Sequence, residues 1–379
     1  LPRKSIRTAF ALAAALGLFL PDASAQRRKK KTEEELTQTL EVLPDPPNTL
    51  KVDTARLVFH VSPLSSKGLL SQQVRDGIKA LQRLNGGAQI VRLRAWVAGT
   101  GDLRRVPNIV SEVFTEKKQP LPVVNVIQIG LLPMDGAQVL LESWSVAKKP
   151  QNPHGLALIS GQAGTAAIDP ASPNMKVAPL AEKAVRDLTT ALTGVGLEPR
   201  DVLRVTCLAT SLEDYNDARM SVAQAFPQAA LAYVQIQRSP TSHVVECEAI
   251  ARLREPVAEG TRFVQPPGLA ASPNFTHVVL TSAPQLVLST TQLAFRGQDS
   301  DIRLAFQRLK SMLEAGGSAI DKVIFSSVYP ITGSARDKVR AIRFEFYDPQ
   351  KPPASTLLLF EGLPSLDASF GVDVVALPR

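Results

Sequence analysis

Three times along this chain an amphipathic helix stops at glycine. Each time a strand, a second helix, another strand, a proline turn and a closing strand follow in the same order. In the first passage Leu70, Val74, Ile78, Leu81 and Leu84 are spaced 4, 4, 3 and 3, one face of a helix, and Asn85-Gly86-Gly87 halts it. Residues 90–97 read as a strand, Ile109, Val110, Val113 and Phe114 as the second helix, and 123–129 and 139–146 as strands around Pro133. The second passage has Ala181, Val185, Leu188, Leu192 and Val195 before Gly196, a strand at 203–208, a helix at 214–226, and strands at 230–237 and 244–250 around Pro240. The third has Ile302, Phe306, Leu309 and Leu313 before Gly316-Gly317, a strand at 323–329, a helix at 336–346, and strands at 357–360 and 372–375 around Pro364. Gly86, Gly196 and Gly316 lie 110 and 120 residues apart, and Pro133, Pro240 and Pro364 lie 107 and 124 apart. Self-similarity of that kind marks one unit built repeatedly.

Each passage opens on strand-like residues: 57–61, 156–160, and a hairpin running from 277–280 into 286–290. Strands before and between two helices predict an α+β unit, a mixed sheet with both helices on one face. The strands are apolar on their other side as well, so that face needs a cover. Three units in one chain can cover one another, which predicts an intramolecular pseudo-trimeric barrel and a monomeric protein.

Charge is concentrated at one end. Residues 1–31 hold eight Lys and Arg against one acid, leaving 35 basic and 34 acidic residues beyond them. A near-neutral body lacks the basic footprint that nucleic acid requires, so no nucleic-acid partner is expected. Arg3, Lys4 and Arg7, then an apolar run from Ala9 to Leu20, then Ala23-Ser24-Ala25 read as a signal peptide over 1–25, cleaved after Ala25. The protein is therefore expected to be exported, periplasmic or secreted, with no membrane span after cleavage. Residues 26–49 read as a basic, proline-rich tether, followed by repeats at 50–150, 151–254 and 274–379, with a linker at 255–273. Export would permit a bond between Cys207 and Cys247. Sequence does not bring their Cα atoms together, and two buried thiols are the expected state.

The second repeat carries Ile159-Ser160-Gly161-Gln162, then Thr206-Cys207-Leu208-Ala209-Thr210-Ser211, and closes on Glu246-Cys247-Glu248-Ala249-Ile250-Ala251. In these residues it resembles the RidA/YjgF family of reactive-intermediate deaminases, also called endoribonuclease L-PSP. The first repeat is similar through Asn108–Phe114, Pro122-Val123-Val124 and Glu142-Ser143-Trp144. The third is similar through Pro353-Ala354-Ser355 and Gly371-Val372-Asp373. The resemblance implies a chorismate-mutase-like fold, ligand clefts between units, and hydrolysis of enamines or imines with release of ammonia. It also implies an Arg that clamps the substrate carboxylate and a Glu, opening the last strand, that positions water. At the Arg position this chain has Val124, Leu231 and Ser355, and at the Glu position Glu142, Glu246 and Gly371. No repeat holds both.

The resemblance thus leaves Glu246 and Glu142 as candidate catalytic residues, and Gly161, Gln162, Arg238 and Asn108 as candidate ligand contacts. Glu246 and Glu248 share one face of a strand, with Cys247 on the other. No metal or cofactor is expected: His60, His154, His243 and His277 lack zinc-ligand spacing, and Gly99-Thr100-Gly101 lacks a dinucleotide fingerprint. The favoured expectation is a degenerate deaminase, or pseudoenzyme, that binds a small carboxylate or carbonyl ligand. An active deaminase using a substitute cation is the alternative, and a ribonuclease ranks third.

Overall fold

The computed structural model describes residues 42–99, 102–169 and 176–379. The expected signal peptide, and the expected tether through residue 41, lie outside them. After β1 (Thr49–Asp53), the first unit runs β2 (Leu57–Val61), α1 (Leu70–Leu84), β3 (Gln89–Ala98), α2 (Arg105–Glu116), β4 (Val123–Ile129) and β5 (Val139–Val146). The second runs β6 (Leu156–Ala167), α3 (Ala178–Thr193), β7 (Val202–Ala209), α4 (Tyr215–Ala225), β8 (Ala230–Gln235) and β9 (Ser242–Arg252), followed by β10 (Thr261–Val264) and β11 (Val278–Thr281). The third runs β12 (Gln285–Ser289), β13 (Gln292–Phe295), α5 (Asp299–Ala315), β14 (Val323–Pro330), α6 (Gly333–Ile342), β15 (Ala354–Leu357) and β16 (Ala368–Ala376).

The sheets are ordered β2-β5-β3-β4, β10-β11-β6-β9-β7-β8 and β1-β12-β16-β14-β15, with β13 also on β16. All three share one plan. The opening strand pairs antiparallel with the closing strand, which pairs antiparallel with the strand between the helices, which pairs parallel with the strand after them. Both helices of each unit pack on one face of its sheet through buried rows such as Leu70, Val74 and Ile78, or Ile302, Phe306 and Leu309. Among the described residues no helix is long and apolar enough to cross a membrane.

Two expectations fail at the sheet edges. The segments at 277–280 and 286–290 form no hairpin: β11 joins β6 and β10, whereas β12 joins β1 and β16. The turn through Pro284 therefore passes the chain from one sheet to another. Nor do the sheets close into one hydrogen-bonded barrel. Their edges meet through side chains and isolated bridges, such as Asn125 Nδ2 to Thr291 Oγ1 at 2.9 Å and Gln128 opposite Gly362.

Cys207 and Cys247 are both fully buried on the helix-facing side of the second sheet, but they are bonded rather than free. They are direct partners on antiparallel β7 and β9, with Cα atoms 4.1 Å apart. Partners in register on neighbouring strands have side chains on the same face, a proximity that a sequence separation of 40 conceals.

The inner faces of the sheets meet one another. Two apolar clusters draw on all three units. One includes Leu57, Trp144, Leu158, Leu288 and Phe325, and the other Trp96, Leu208, Val234, Tyr329 and Phe360. Between them, buried Arg92, Arg94 and Arg204 meet buried Glu142, Glu248 and Asp373. Burial alone would raise the Glu142 carboxyl, but Arg204 and Arg94 outweigh it and hold the group below its ordinary range. Replacing Arg94 with leucine leaves three buried carboxylates facing two guanidinium groups. The expected loss is about 3–5 kcal/mol of unfolding free energy, read as a lower urea midpoint at pH 7.

Candidate functional site

A bulge in β6 shapes the site. Its register against β9 shifts between Ile159 and Gln162, across Ser160 and Gly161. The Glu246 side chain, from β9, lies directly over Gly161: a Cβ at 161 would stand 2.0 Å from Glu246 Oε1, so any larger residue would displace the carboxyl. Buried Ser160 fixes the neighbouring unit. Its Oγ donates to Thr276 O at 2.6 Å and accepts from Ser355 N, at the start of β15, at 2.9 Å. The result is a cavity of about 280 Å³ between the second and third units. Gly161, Gln162 and Glu246 form one wall, and Arg340, Arg343, Ser355 and Leu357 the other.

His277 lines the cavity and is locked in one tautomer. Its Nε2 faces Ala270 O at 2.9 Å and so carries the proton, leaving Nδ1 to accept from Gln162 Nε2 at 3.1 Å. Arg343 is 3% exposed and forms no ion pair with any described residue. Its guanidinium donates to Asn274 O and reaches Ser355 Oγ at 3.5 Å, while its Nε has no partner. Burial pulls it down to about 10, still charged at neutral pH. Burial, and secondarily the negative Glu248, push the Glu246 carboxyl up to about 8 against the pull of Arg340. At neutral pH the cleft therefore holds a cation without a counter-ion and a predominantly protonated acid. The first can bind an anion. The second can donate a proton, and above pH 8 it can accept one from water.

The candidate residues separate into two groups. Gly161, Gln162 and Glu246 meet in this cleft. Glu142 does not: it lies in the ionic cluster, bound by Arg204 Nη2 at 3.0 Å and by the Thr206 hydroxyl. The register explains why. Arg94 faces Glu142, Thr206 faces Glu248 and Ser327 faces Asp373, so these three acids are counterparts. The counterparts of Glu246, opposite Leu208, are Leu140 opposite Trp96 and Gly371 opposite Tyr329. Matching Glu142 with Glu246 was therefore a slip of two residues, which keeps the face and hides the error. Asn108 and Arg238 are both exposed and line neither wall.

Of the three positions matched to the clamping Arg, Ser355 faces Glu246. Leu231 lies at the junction of the first and second units, and Val124 near the third, its carbonyl accepting from Thr290 Oγ1 at 2.9 Å. Arg340, Arg343 and His277 were not among the candidates. They carry no spacing signal, because the cleft joins residues from different units. Among the described residues, no group of three His, Cys, Asp or Glu side chains could hold a metal ion.

The raised Glu246 value has a measurable consequence for stability. A carboxyl raised in the folded state favours folding fully below its unfolded value, near 4.5, and that contribution is lost as pH rises through about 8. Glu246→Gln removes the effect. Urea midpoints of variant and wild type should differ more at pH 8.5 than at pH 4.5, in favour of the variant.

The model of the family described as endoribonuclease L-PSP matches residues 141–253, a span that includes Gly161, Gln162 and Glu246. No curated protein matches the chain significantly. Solved structures similar to part of it include a Rid-family protein of unknown function from Yersinia pestis, 16% identical, covering 31% of this chain and 98% of that one at a TM-score of 0.29. A member of the YjgF/YER057c/UK114 family from Mycobacterium tuberculosis is 24% identical, covering 26% of this chain and 79% of that one at a TM-score of 0.22. A YjgF-family protein from Neisseria meningitidis is 12% identical, covering 31% of this chain and 95% of that one at a TM-score of 0.24. Over residues 141–253, then, this chain is similar to the endoribonuclease L-PSP family, and the rest of it lies outside that match.

Proposed function

We propose that this is an exported Rid-like protein whose three units are diverged tandem copies packed as an intramolecular trimer, and that the Glu246 cleft binds a small carboxylate bearing a carbonyl or imine at its second carbon. The observation that carries the ligand reading is Arg343. A buried guanidinium without a carboxylate partner is costly, and an anionic ligand supplies that partner. Here the cation comes from the residue just after α6 rather than from the strand position, where Ser355 stands. The common strand order, and the matching positions of Glu142, Glu248 and Asp373, support descent from one unit. The Cys207–Cys247 bond is consistent with export, since such bonds persist in oxidising compartments. Tethered units make assembly intramolecular, which supports a monomer.

Glu246 favours a second reading, hydrolysis of an enamine or imine. Water adds to the imine carbon, the C–N bond breaks, and a 2-imino acid plus water gives a 2-oxo acid plus ammonia. A carboxyl with a value near 8 can take a proton from the water and return one to the departing nitrogen. A ribonuclease has little support, because the charge beyond residue 31 is 35 basic against 34 acidic residues.

Calorimetry with pyruvate on residues 26–379 should give binding, weakened about tenfold or more by Arg343→Met, in line with the loss of a charge-assisted contact. Absence of binding at millimolar pyruvate would sink the proposal. Ammonia release from a 2-imino acid that disappears in Glu246→Ala would select the hydrolase over simple binding. Light scattering should give the mass of one chain.

A further inference from the structure

The junction of the first and second units is topologically equivalent to the Glu246 cleft, but its chemistry differs. In both clefts, the strand after the second helix of one unit approaches the opening strand of another: β8 meets β2 here, as β15 meets β6 there. Leu231 and Ser355 are counterparts, opposite Val205 and Ser326 in the parallel ladders. Leu140 stands where Glu246 does. Leucines thus stand at both positions; Leu231 lines the groove, whereas Leu140 packs into the inner apolar cluster with Trp96. The space is also larger, about 820 Å³ against about 280 Å³.

Phe59, Leu84, Phe226 and Leu231 supply apolar wall, and Leu84 is 53% exposed. Arg83 and Arg219 also line the groove. Both are exposed, and neither forms an ion pair with a described residue. They come from different units, at the end of α1 and within α4, and line the same groove, together with the polar His60, Ser62 and Gln228. A volume of this size is in the range of small-molecule sites, and apolar walls with a few charged groups at the margin are their usual composition.

We propose that this groove is a second binding site, separate from the Glu246 cleft, for an amphiphilic carboxylate. The apolar tail lies along Phe59, Leu84, Phe226 and Leu231, and the carboxylate meets Arg83 and Arg219. Neither element alone selects this class. Apolar wall without cations would take a neutral hydrocarbon, and cations on a polar surface would take any anion. A tail gains affinity with each methylene it buries, by about fourfold, and a carboxylate gains from two guanidinium groups.

The probe is decanoate, below its micellar concentration, titrated into residues 26–379 by calorimetry. Saturable binding is expected. Hexanoate should bind more weakly by roughly fourfold for each methylene removed from the buried tail. The double variant Arg83→Glu, Arg219→Glu should weaken decanoate binding at least tenfold. Both positions are exposed, so folding is preserved. Arg343→Met should leave decanoate binding unchanged, which separates the two sites. The proposal is overturned if decanoate does not bind, if chain length has no effect, if the double charge reversal has no effect, or if Arg343→Met abolishes binding. It is also overturned if light scattering gives a dimer that dissociates on the double charge reversal, because the groove would then be filled by a second copy of the chain.

Discussion

Three guanidinium groups and three carboxylates meet where the inner faces of the sheets converge, and the relative placement of the units depends on their pairing. Arg204 Nη2 lies 3.0 Å from Glu142 of the first sheet and 2.9 Å from Glu248 of its own. Arg94 reaches Asp373 of the third sheet at 3.1 Å, and Tyr329 OH donates to the same carboxylate at 2.8 Å. The Thr356 hydroxyl donates to Glu248 at 2.6 Å. Burying such groups is expensive, and the mutual attraction repays the cost only when each charge is met and the remaining hydrogen-bonding positions are filled. A one-residue shift of any central strand would turn its charged side chains into a helix-packed core and leave their partners bare. Buried polar networks fix position more than they add stability.

The apolar clusters on either side then have little freedom. Trp96 stacks on Phe360 at 5.9 Å and Tyr329 meets the same ring edge-on at 5.1 Å, joining the first and third units. With the inner faces fixed, each junction presents the end of one sheet to the beginning of another, and the local residues decide what forms there. Between the second and third units the β6 bulge, Gly161 and the Ser160 bonds leave a small polar cleft. Between the first and second units, Leu231 stands where Ser355 does and lines a wider groove with Phe59, Leu84 and Phe226. At the remaining junction Gly371 is crowded by Thr291, Leu293 and Leu363. One plan repeated three times thus yields three different surfaces.

On the proposed reading, the Glu246 cleft takes its cation from an element other than the strand. Ser355 cannot clamp a carboxylate, but it leaves room for the Arg343 guanidinium, which lies within 3.5 Å of its hydroxyl. The position of a cation relative to the ligand matters to binding, whereas the backbone element that carries it does not. Comparison of strand positions alone therefore understates what this cleft contains.

Much of the fold was legible in the chain itself. Helix periodicity, the glycine stops and the proline turns sufficed for the six helices of the described residues and for most of the strands around them, because burial of one face imposes a period that local sequence must obey. Strands β1, β10 and β13 carried no such signal, β10 lies within the expected linker, and β15 begins three residues before the strand expected at 357–360. Gly161, Gln162 and Glu246 were legible as candidates through the family resemblance carried by the opening and closing motifs of the second unit. What local sequence could not supply was contact between units. The separate destinations of β11 and β12, the pairing of Cys207 with Cys247, the membership of Glu142 in the ionic cluster and the arrival of Arg343 opposite Glu246 are all set by packing between segments distant in the chain. Periodicity determines which face of a strand is buried. Only the tertiary structure decides what it is buried against, because that depends on the register in which three sheets satisfy one another's charges.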